Sequence, residues 1–210
     1  MTEKAASLLR KNLLAQRIAL NDDLFQKVVF EKQLNESILR FLEELETTIS
    51  QTIHTIAFFW PIQGEPDIRP ALKEWQRGGD FRILALPITQ KNEALKFAEW
   101  SENCEMSRGL FDIPEPKSTT IVNPSLIIAP CLGWLEFEGR LWRLGYGGGY
   151  YDRTMESLHK RSVYPAFVGV ASLAQKLERT AWKPQRHDIS MDAVITETSW
   201  QYATKKHIES

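Results

Sequence analysis

Short, wholly apolar runs that alternate with helical segments are the feature that most limits what this chain can fold into. One run, residues 126–129 (LIIA), is apolar at every position and is followed by Pro130. A central strand of a parallel sheet is buried on both faces and has this composition. Four further strands are expected at residues 53–60, 81–86, 166–170 and 193–195. The sequence therefore predicts an α/β fold with a mainly parallel sheet.

Apolar residues that recur every three or four positions place the helices. Leu9, Leu13 and Leu20 follow this spacing and predict a first helix, and a second, longer helical pattern begins after Asp23. Shorter helices are expected at residues 67–77, 150–160 and 173–177. Because strands and helices alternate, we expect helices on both faces of the sheet.

Three further segments complete the prediction: an edge strand or hairpin arm at residues 94–100, an extended stretch at 111–116 and a β-hairpin at 134–143. The hairpin is expected to turn at Glu138 and Gly139, and Pro87 is expected to end the second strand. The sequence has no internal repeat, linker or low-complexity tract. We therefore expect a single domain that spans residues 1–210.

Charge and cysteine usage exclude several classes of protein. The chain has 26 Lys and Arg residues against 27 Asp and Glu residues, a net charge of −1, so no overall field would attract nucleic acid or an anionic membrane. The two cysteines, Cys104 and Cys131, lack the spacing of a zinc or redox motif. The first helix is amphipathic and interrupted by charges, unlike a membrane span. We expect a cytoplasmic protein with no nucleic-acid or membrane partner.

Four glycines within five positions form the one sharp local motif, in the run RLGYGGGYYDR at residues 143–153. Glycines let backbone N–H groups approach phosphate oxygens, and the helix that follows directs its positive dipole end at them. The run is not a Walker A loop, and Tyr150 stands where a dinucleotide motif has its third glycine. Arg143 and Asp152 flank the loop and favour a site for phosphate and metal. A tight connection without a ligand is the alternative.

With its flanks, this run resembles the signature of the 5-formyltetrahydrofolate cyclo-ligase family, which reads RLG-x-G-x-G-YYD at this point. Other segments follow in the same order as in the family, namely Leu9-Arg10, Gln63-Gly64-Glu65, Ile113-Pro114-Glu115-Pro116, Pro130 and His187-Asp188. The resemblance spans nearly the whole chain. It implies a three-layer α/β/α sandwich and an enzyme that uses ATP and Mg²⁺ to convert 5-formyltetrahydrofolate into 5,10-methenyltetrahydrofolate, with release of ADP and phosphate.

The resemblance also assigns roles to individual residues. It places ATP on Arg10, Arg143, Leu144, Gly145, Tyr146, Gly147, Gly148, Gly149, Tyr150 and Tyr151. It places the folate on Trp60, Glu65, Tyr146, Gly147, Gly148, Gly149 and Tyr150. It places the metal on Asp152 and Asp188, in keeping with the preference of Mg²⁺ for one or two carboxylates together with phosphate oxygens and water. Arg143, Tyr151 and Asp152 are the candidate catalytic residues.

Each assignment has a plainer alternative when the residue is considered alone. Arg10 has the pattern of a solvated helix arginine, and Glu65 that of a loop glutamate that faces water. Asp152 is also placed to complement the dipole of its helix, Asp188 resembles a surface acid, and Trp60 resembles a core residue at a strand end. The resemblance, rather than the residue types, favours the functional interpretation.

The reaction implied by the resemblance begins when the N5-formyl oxygen attacks the γ-phosphate of ATP, and it ends when folate N10 displaces phosphate. The expected partner is a small molecule, 5-formyltetrahydrofolate with or without a polyglutamate tail, and we expect a monomer. One alternative is a non-catalytic relative that binds a folate or a nucleotide. Another is a sugar-phosphate isomerase or an acyl-CoA transferase on a similar scaffold, which would need no ATP.

Overall fold

The computed structural model describes residues 3–49 and 53–205. The α-helices are α1 (Glu3–Asp22), α2 (Leu24–Ile49), α3 (Arg69–Arg77) and α4 (Tyr150–Lys160), and short 3₁₀ turns lie at Leu110–Asp112 and Leu173–Gln175. The strands are β1 (Thr55–Ala57), β2 (Ile83–Ile88), β3 (Lys96–Trp100), β4 (Met106–Arg108), β5 (Pro114–Pro116), β6 (Ile121–Val122), β7 (Leu126–Pro130), β8 (Gly133–Phe137), β9 (Arg140–Leu144), β10 (Ala166–Val170), β11 (Ala193–Ile195) and β12 (Trp200–Tyr202). In the part of the chain described, no helix is long and apolar enough to cross a membrane.

Eight of the strands form one sheet in the order β12-β11-β10-β7-β1-β2-β3-β6. The five strands from β11 to β2 are parallel to one another. Antiparallel strands extend this parallel centre on both sides, β12 next to β11, and β3 and β6 beyond β2. The predicted α/β fold with a mainly parallel sheet is thus confirmed, and the segment predicted as an edge strand or hairpin arm is the arm β3, covered at the edge by β6.

Helices cover both faces of the sheet and make three layers. On one face, apolar residues of α2 and α3 such as Ile38 and Leu72 pack against alternate strand residues, among them Ile128. On the other face, Met155 of α4 packs with Ile127 and with residues of the β8-β9 hairpin. Neighbouring residues of β7 thus enter opposite cores, which explains why this strand is apolar at every position. Helix α1 packs separately, against the β8-β9 hairpin.

The predicted hairpin forms as β8 and β9, and its turn is at the predicted residues. Glu138 and Gly139 both have positive φ, 55° and 78°, as a two-residue turn of type I′ requires. Strand β9 ends at Leu144, and the glycine run begins at the next residue. Helix α4 starts directly after this run, at Tyr150, as predicted.

Pro87 does not end the second strand, contrary to the prediction, because β2 continues to Ile88. The N–H of Ile83 donates to the carbonyl of His54, so the odd-numbered residues of β2 point their N–H groups toward β1. Strand β1 pairs only as far as Ala85. Pro87, which lacks an N–H, therefore lies where no neighbouring strand requires a donor.

Two other predicted segments differ from the structure. The strand predicted at 53–60 is reduced to Thr55–Ala57, although its flanking residues remain buried apart from His54 and the partly buried Trp60. The stretch predicted as extended at 111–116 begins in a 3₁₀ turn in which Phe111 and Asp112 have φ of 61° and 60°. The chain reverses there between β4 and β5, which pair antiparallel.

Candidate active site

A cavity of about 530 Å³ lies at the carboxyl ends of the parallel strands. Its floor comes from residues that follow or end β1, β2 and β7, including Trp60, Thr89 and Pro130. Strands β1 and β7 are neighbours, yet the chain leaves β1 for α3 on one face and reaches α4 after β7 on the other. Connections that diverge in this way open a crevice at the strand ends, the usual place for a ligand in an open α/β sheet.

The glycine run forms one wall of the cavity and ends at the first residue of α4. Gly147 and Gly149 have φ of 95° and 64°, values that residues with a Cβ rarely adopt. Gly149 is the N-cap of α4 and offers no side chain to the helix end. The first N–H groups of the helix therefore remain available at the cavity, where an anion can accept from them.

Two arginines from distant parts of the chain lie against this loop. The Nε of Arg10, on α1, donates to the carbonyl of Gly145 at 2.9 Å. Arg143, on β9, donates from Nη1 to the carbonyl of Pro130 at 3.3 Å, and its guanidinium stacks over the ring of Tyr151 at 4.9 Å. These contacts hold two positive charges beside the glycine run, where they can offset the charge of a phosphate group.

Asp152 and Asp188 add two carboxylates to the same end of the cavity. Asp152 accepts from the backbone N–H of Ile189 at 3.1 Å, and its other oxygen lies 3.5 Å from Nη2 of Arg143. Asp188 accepts from the N–H of Gln185 at 2.6 Å. Burial raises the pKa of Asp188, and the negative charge of Asp152 acts in the same direction. The two carboxylates are therefore close enough to repel each other, an arrangement that a divalent cation would stabilise.

Glu65 lines another part of the cavity and is almost fully buried, with 2% of its side chain exposed. Its Oε2 accepts from the N–H of Ile62 at 3.0 Å, and its Oε1 accepts from the hydroxyl of Tyr146 at 2.8 Å. Burial raises the pKa of Glu65 to about 7, against the lowering effect of Ile62, Tyr146, Arg17 and Arg143. Glu65 is thus a fixed hydrogen-bond acceptor whose charge changes near neutral pH.

Aromatic side chains also line the cavity. Trp60 follows β1, and the guanidinium of Arg69 covers one face of its ring at 4.4 Å. Tyr150 meets Phe111 edge to face, with ring centroids 6.1 Å apart. Phe111 itself is 69% exposed at the rim. Walls of this kind suit a flat, partly apolar ligand.

The structure places every residue assigned by the resemblance at this one cavity. The lining includes Arg10, Trp60, Glu65, Arg143, Leu144, Gly145, Tyr146, Gly147, Gly148, Gly149, Tyr150, Tyr151, Asp152 and Asp188. The glycine run, the two aspartates and Arg10 lie at what we call the glycine-loop end. Glu65 and its hydrogen-bond partners define the Glu65 end. Tyr146 belongs to both ends, because its backbone lies in the loop and its hydroxyl reaches Glu65.

The sequence analysis did not single out two of the residues that shape the site. Arg17 is buried beside Glu65. Its signal was present, since it lies seven positions after Arg10 on the same stripe of α1. Phe111 was placed in an extended segment, and the sequence carries no signal that its backbone turns it toward Tyr150.

The fold and the site define a class before any comparison with known proteins: an α/β fold whose parallel strands end at an anion-binding glycine loop, two carboxylates and a buried acceptor. A family model described as the 5-formyltetrahydrofolate cyclo-ligase family matches residues 2–197. The chain belongs to this family, and it is an enzyme of the ligase class.

Known relatives agree with this placement. The 5-formyltetrahydrofolate cyclo-ligase of Escherichia coli (strain K12) is 29% identical over 160 residues, which cover 71% of this chain and 81% of that protein. The solved 5,10-methenyltetrahydrofolate synthetase of Aquifex aeolicus superimposes with a TM-score of 0.70 at 29% identity, over 98% of this chain and 96% of that one. The synthetase of Mycoplasma pneumoniae, at 22% identity and a TM-score of 0.66 over 91% and 98% of the chains, shares the fold.

Proposed function

We propose that this protein cyclises 5-formyltetrahydrofolate to 5,10-methenyltetrahydrofolate, with ATP converted to ADP and phosphate in a reaction that requires Mg²⁺. One observation carries the proposal: a single cavity joins an anion-binding loop to a buried carboxylate acceptor. A reaction between ATP and a folate needs both kinds of site within reach of each other. Membership of the family supports the choice of substrate.

The glycine-loop end suits the phosphates of ATP. The glycine loop and the first residues of α4 line the cavity, and Arg10 and Arg143 lie beside the loop. Phosphoryl transfer depends mainly on the positioning of the reactants and on stabilisation of charge. A loop that binds through its backbone, together with two fixed guanidinium groups, meets both needs without a nucleophilic side chain.

Asp152 and Asp188 would suit Mg²⁺. Their two negative charges repel each other, and a cation beside the phosphates would relieve this repulsion. Among the described residues, no three His, Cys, Asp or Glu side chains converge into a metal site. Mg²⁺ would therefore take the rest of its ligands from phosphate oxygens and water, as it commonly does. When bound, the ion supplies neutralisation of the negative charge on the transferred phosphoryl group.

The Glu65 end suits the pterin. The N–H groups of the pterin are donors, and the ionised Glu65 carboxylate is an acceptor that burial keeps in one orientation. Trp60 lines the same cavity and offers a flat surface. Glu65 and Trp60 would thus orient the folate so that its N5-formyl group lies toward the glycine loop.

The substrate supplies both nucleophiles in this proposal. The formyl oxygen attacks the γ-phosphorus and ADP leaves; N10 then attacks the formyl carbon, and the bond from that carbon to the phosphorylated oxygen breaks to release phosphate. The side chain of Arg143 lies between the loop and Asp152, where it stabilises the charge that moves to the leaving groups. Tyr151 packs against this guanidinium and holds it in place.

The proposal is tested by following the absorbance of the methenyl product while the purified protein meets 5-formyltetrahydrofolate. Absorbance should rise only when ATP and Mg²⁺ are both present. Binding of the folate or the nucleotide without any rise would point instead to a non-catalytic relative. Turnover without ATP would contradict the proposed reaction.

A further inference from the structure

Arg17 connects helix α1 to the Glu65 end of the cavity. Its guanidinium donates from Nη2 to the carbonyl of Cys131, just after β7, and from Nη1 to the hydroxyl of Tyr146 at 2.7 Å. Nη1 also lies 3.7 Å from Oε1 of Glu65. The residue is 6% exposed, so these contacts occur in a largely water-excluded environment.

The geometry gives this guanidinium a fixed direction. The Cys131 carbonyl holds one nitrogen, and the planar fork then aims the other nitrogen at Tyr146 and Glu65. The Tyr146 hydroxyl accepts from Arg17, so its own proton points to Glu65. Arg17 thus sets the direction of a short hydrogen-bond chain that ends on the carboxylate.

We propose that Arg17 is the positioning residue for Glu65, directing its carboxylate to accept hydrogen bonds from the N–H groups of the folate. The inference rests on the proposed function, since it assigns the folate to Glu65. It gives Arg17 no direct contact with the reacting atoms. It separates the two arginines of α1: Arg10 lies at the glycine loop, and Arg17 acts on the acceptor at the other end.

The other groups that face Glu65 do not replace Arg17. The Ile62 N–H and the Tyr146 hydroxyl are neutral donors, and Arg143 is already engaged by the Pro130 carbonyl and Asp152. Burial raises the pKa of Glu65 to about 7, whereas the positive charges of Arg17 and Arg143 lower it. Removal of Arg17 therefore favours the protonated form of Glu65, which accepts hydrogen bonds less well.

The test measures binding of 5-formyltetrahydrofolate by titration calorimetry from pH 6 to pH 9. Arg17→Gln should weaken binding at pH 7 by roughly tenfold or more, and the pH at which binding is half-maximal should move upward. Arg17→Lys should recover part of the loss, because it restores the charge but lacks the second arm of the fork. Lys11→Gln, a change at an exposed position of the same helix, should bind like the parent protein.

A double-mutant cycle with Glu65→Gln distinguishes positioning from a general structural effect. If Arg17 acts through Glu65, Arg17→Gln should weaken folate binding far less in the Glu65→Gln background than in the parent. An equal effect in both backgrounds would overturn the inference. So would a pH profile of folate binding that Arg17→Gln leaves the same as in the parent protein. If Arg17→Gln fails to fold, the cycle is made with Arg17→Lys, and an equal loss of folate binding in both backgrounds would again overturn the inference. A parent protein that binds no folate would instead overturn the proposed function.

Discussion

The two ends of the cavity are built in opposite ways. At the glycine-loop end, the proposed binding surface is the backbone: Gly147 and Gly148 are exposed, and the nearby charges come from arginine side chains that donate to backbone carbonyls. At the Glu65 end, the proposed binding group is one buried carboxylate, and its neighbours hold it by direct hydrogen bonds. The first end is open and built mainly from N–H donors; the second is closed and built around an acceptor.

The difference corresponds to two kinds of ligand. A triphosphate is flexible and highly charged, so many weak N–H donors and a few cations can hold it in place. A pterin is flat and neutral, and its orientation is decided by a few fixed acceptors and a stacking surface. Changes at the glycine-loop end should therefore affect nucleotide use and metal dependence, whereas changes at the Glu65 end should affect folate binding and pH dependence.

The largest effect is expected from Asp152→Asn. This change keeps the size of the side chain and its acceptor for the Ile189 N–H, but it removes the charge offered to Mg²⁺. Turnover should fall by roughly a thousandfold, because charge neutralisation by a metal contributes several kcal/mol to such reactions. Folate affinity should stay within about threefold of the parent value, since the change lies at the other end.

The absorbance assay and a folate titration check both parts of this prediction. Asp23→Asn is the matched control: Asp23 lies at the start of α2, away from the cavity, and asparagine also caps a helix well. An Asp152→Asn protein that turns over normally would remove Asp152 from the metal site. A variant that loses folate binding as well would show that the two ends are not independent.

Local sequence signals were sufficient to predict several elements that position the cavity. The strand at Leu126–Pro130 and the turn at Glu138 and Gly139 were predictable because each depends on residues within a few positions of one another, an apolar run and a glycine turn. The extent of β2 was not, since Pro87 is tolerated only because β1 ends before reaching it. The point at which β1 ends is decided elsewhere in the chain, and the residues around Pro87 do not indicate it.

The two ends of the site also differed in how far they could be predicted. The glycine-loop end is largely one contiguous motif, and its anion-binding character follows from the motif itself. The Glu65 end depends on contacts between distant residues: Arg17 and Tyr146 are 129 positions apart. The stripe that Arg17 shares with Arg10 indicated which face of α1 it occupies, but its burial comes from packing against elements formed much later in the chain.

The second prediction concerns stability and uses the raised pKa of Glu65. Burial raises the pKa of Glu65 from 4.5 to about 7, so between these two pH values the folded protein keeps a proton that the unfolded chain has lost. The stabilising contribution of Glu65 is therefore complete at low pH and is lost as the pH rises through 7. Glu65→Gln should therefore gain stability relative to the parent between pH 5 and pH 8, by roughly 2–3 kcal/mol. Urea denaturation at each pH measures this difference. A constant difference across the range would contradict it.

The smallest effect is expected from Gly147→Ala. Its φ of 95° strains any residue with a Cβ, and the new methyl group would lie 3.4 Å from the guanidinium carbon of Arg10. We expect a loss of roughly 1–2 kcal/mol in stability and a nucleotide affinity reduced by roughly tenfold, because the loop shifts beside Arg10.

Gly139→Ala separates backbone strain from the effect on the site. Gly139 also has a positive φ, 78°, but it lies in the turn of the β8-β9 hairpin, and an added Cβ there would meet Thr204 rather than a cavity residue. Both variants should unfold at lower urea concentration than the parent, and only Gly147→Ala should bind ATP more weakly. Equal nucleotide affinities in the two variants would mean that the loop conformation at Gly147 does not determine phosphate binding, and the glycine-loop end would then depend on its arginines and carboxylates alone.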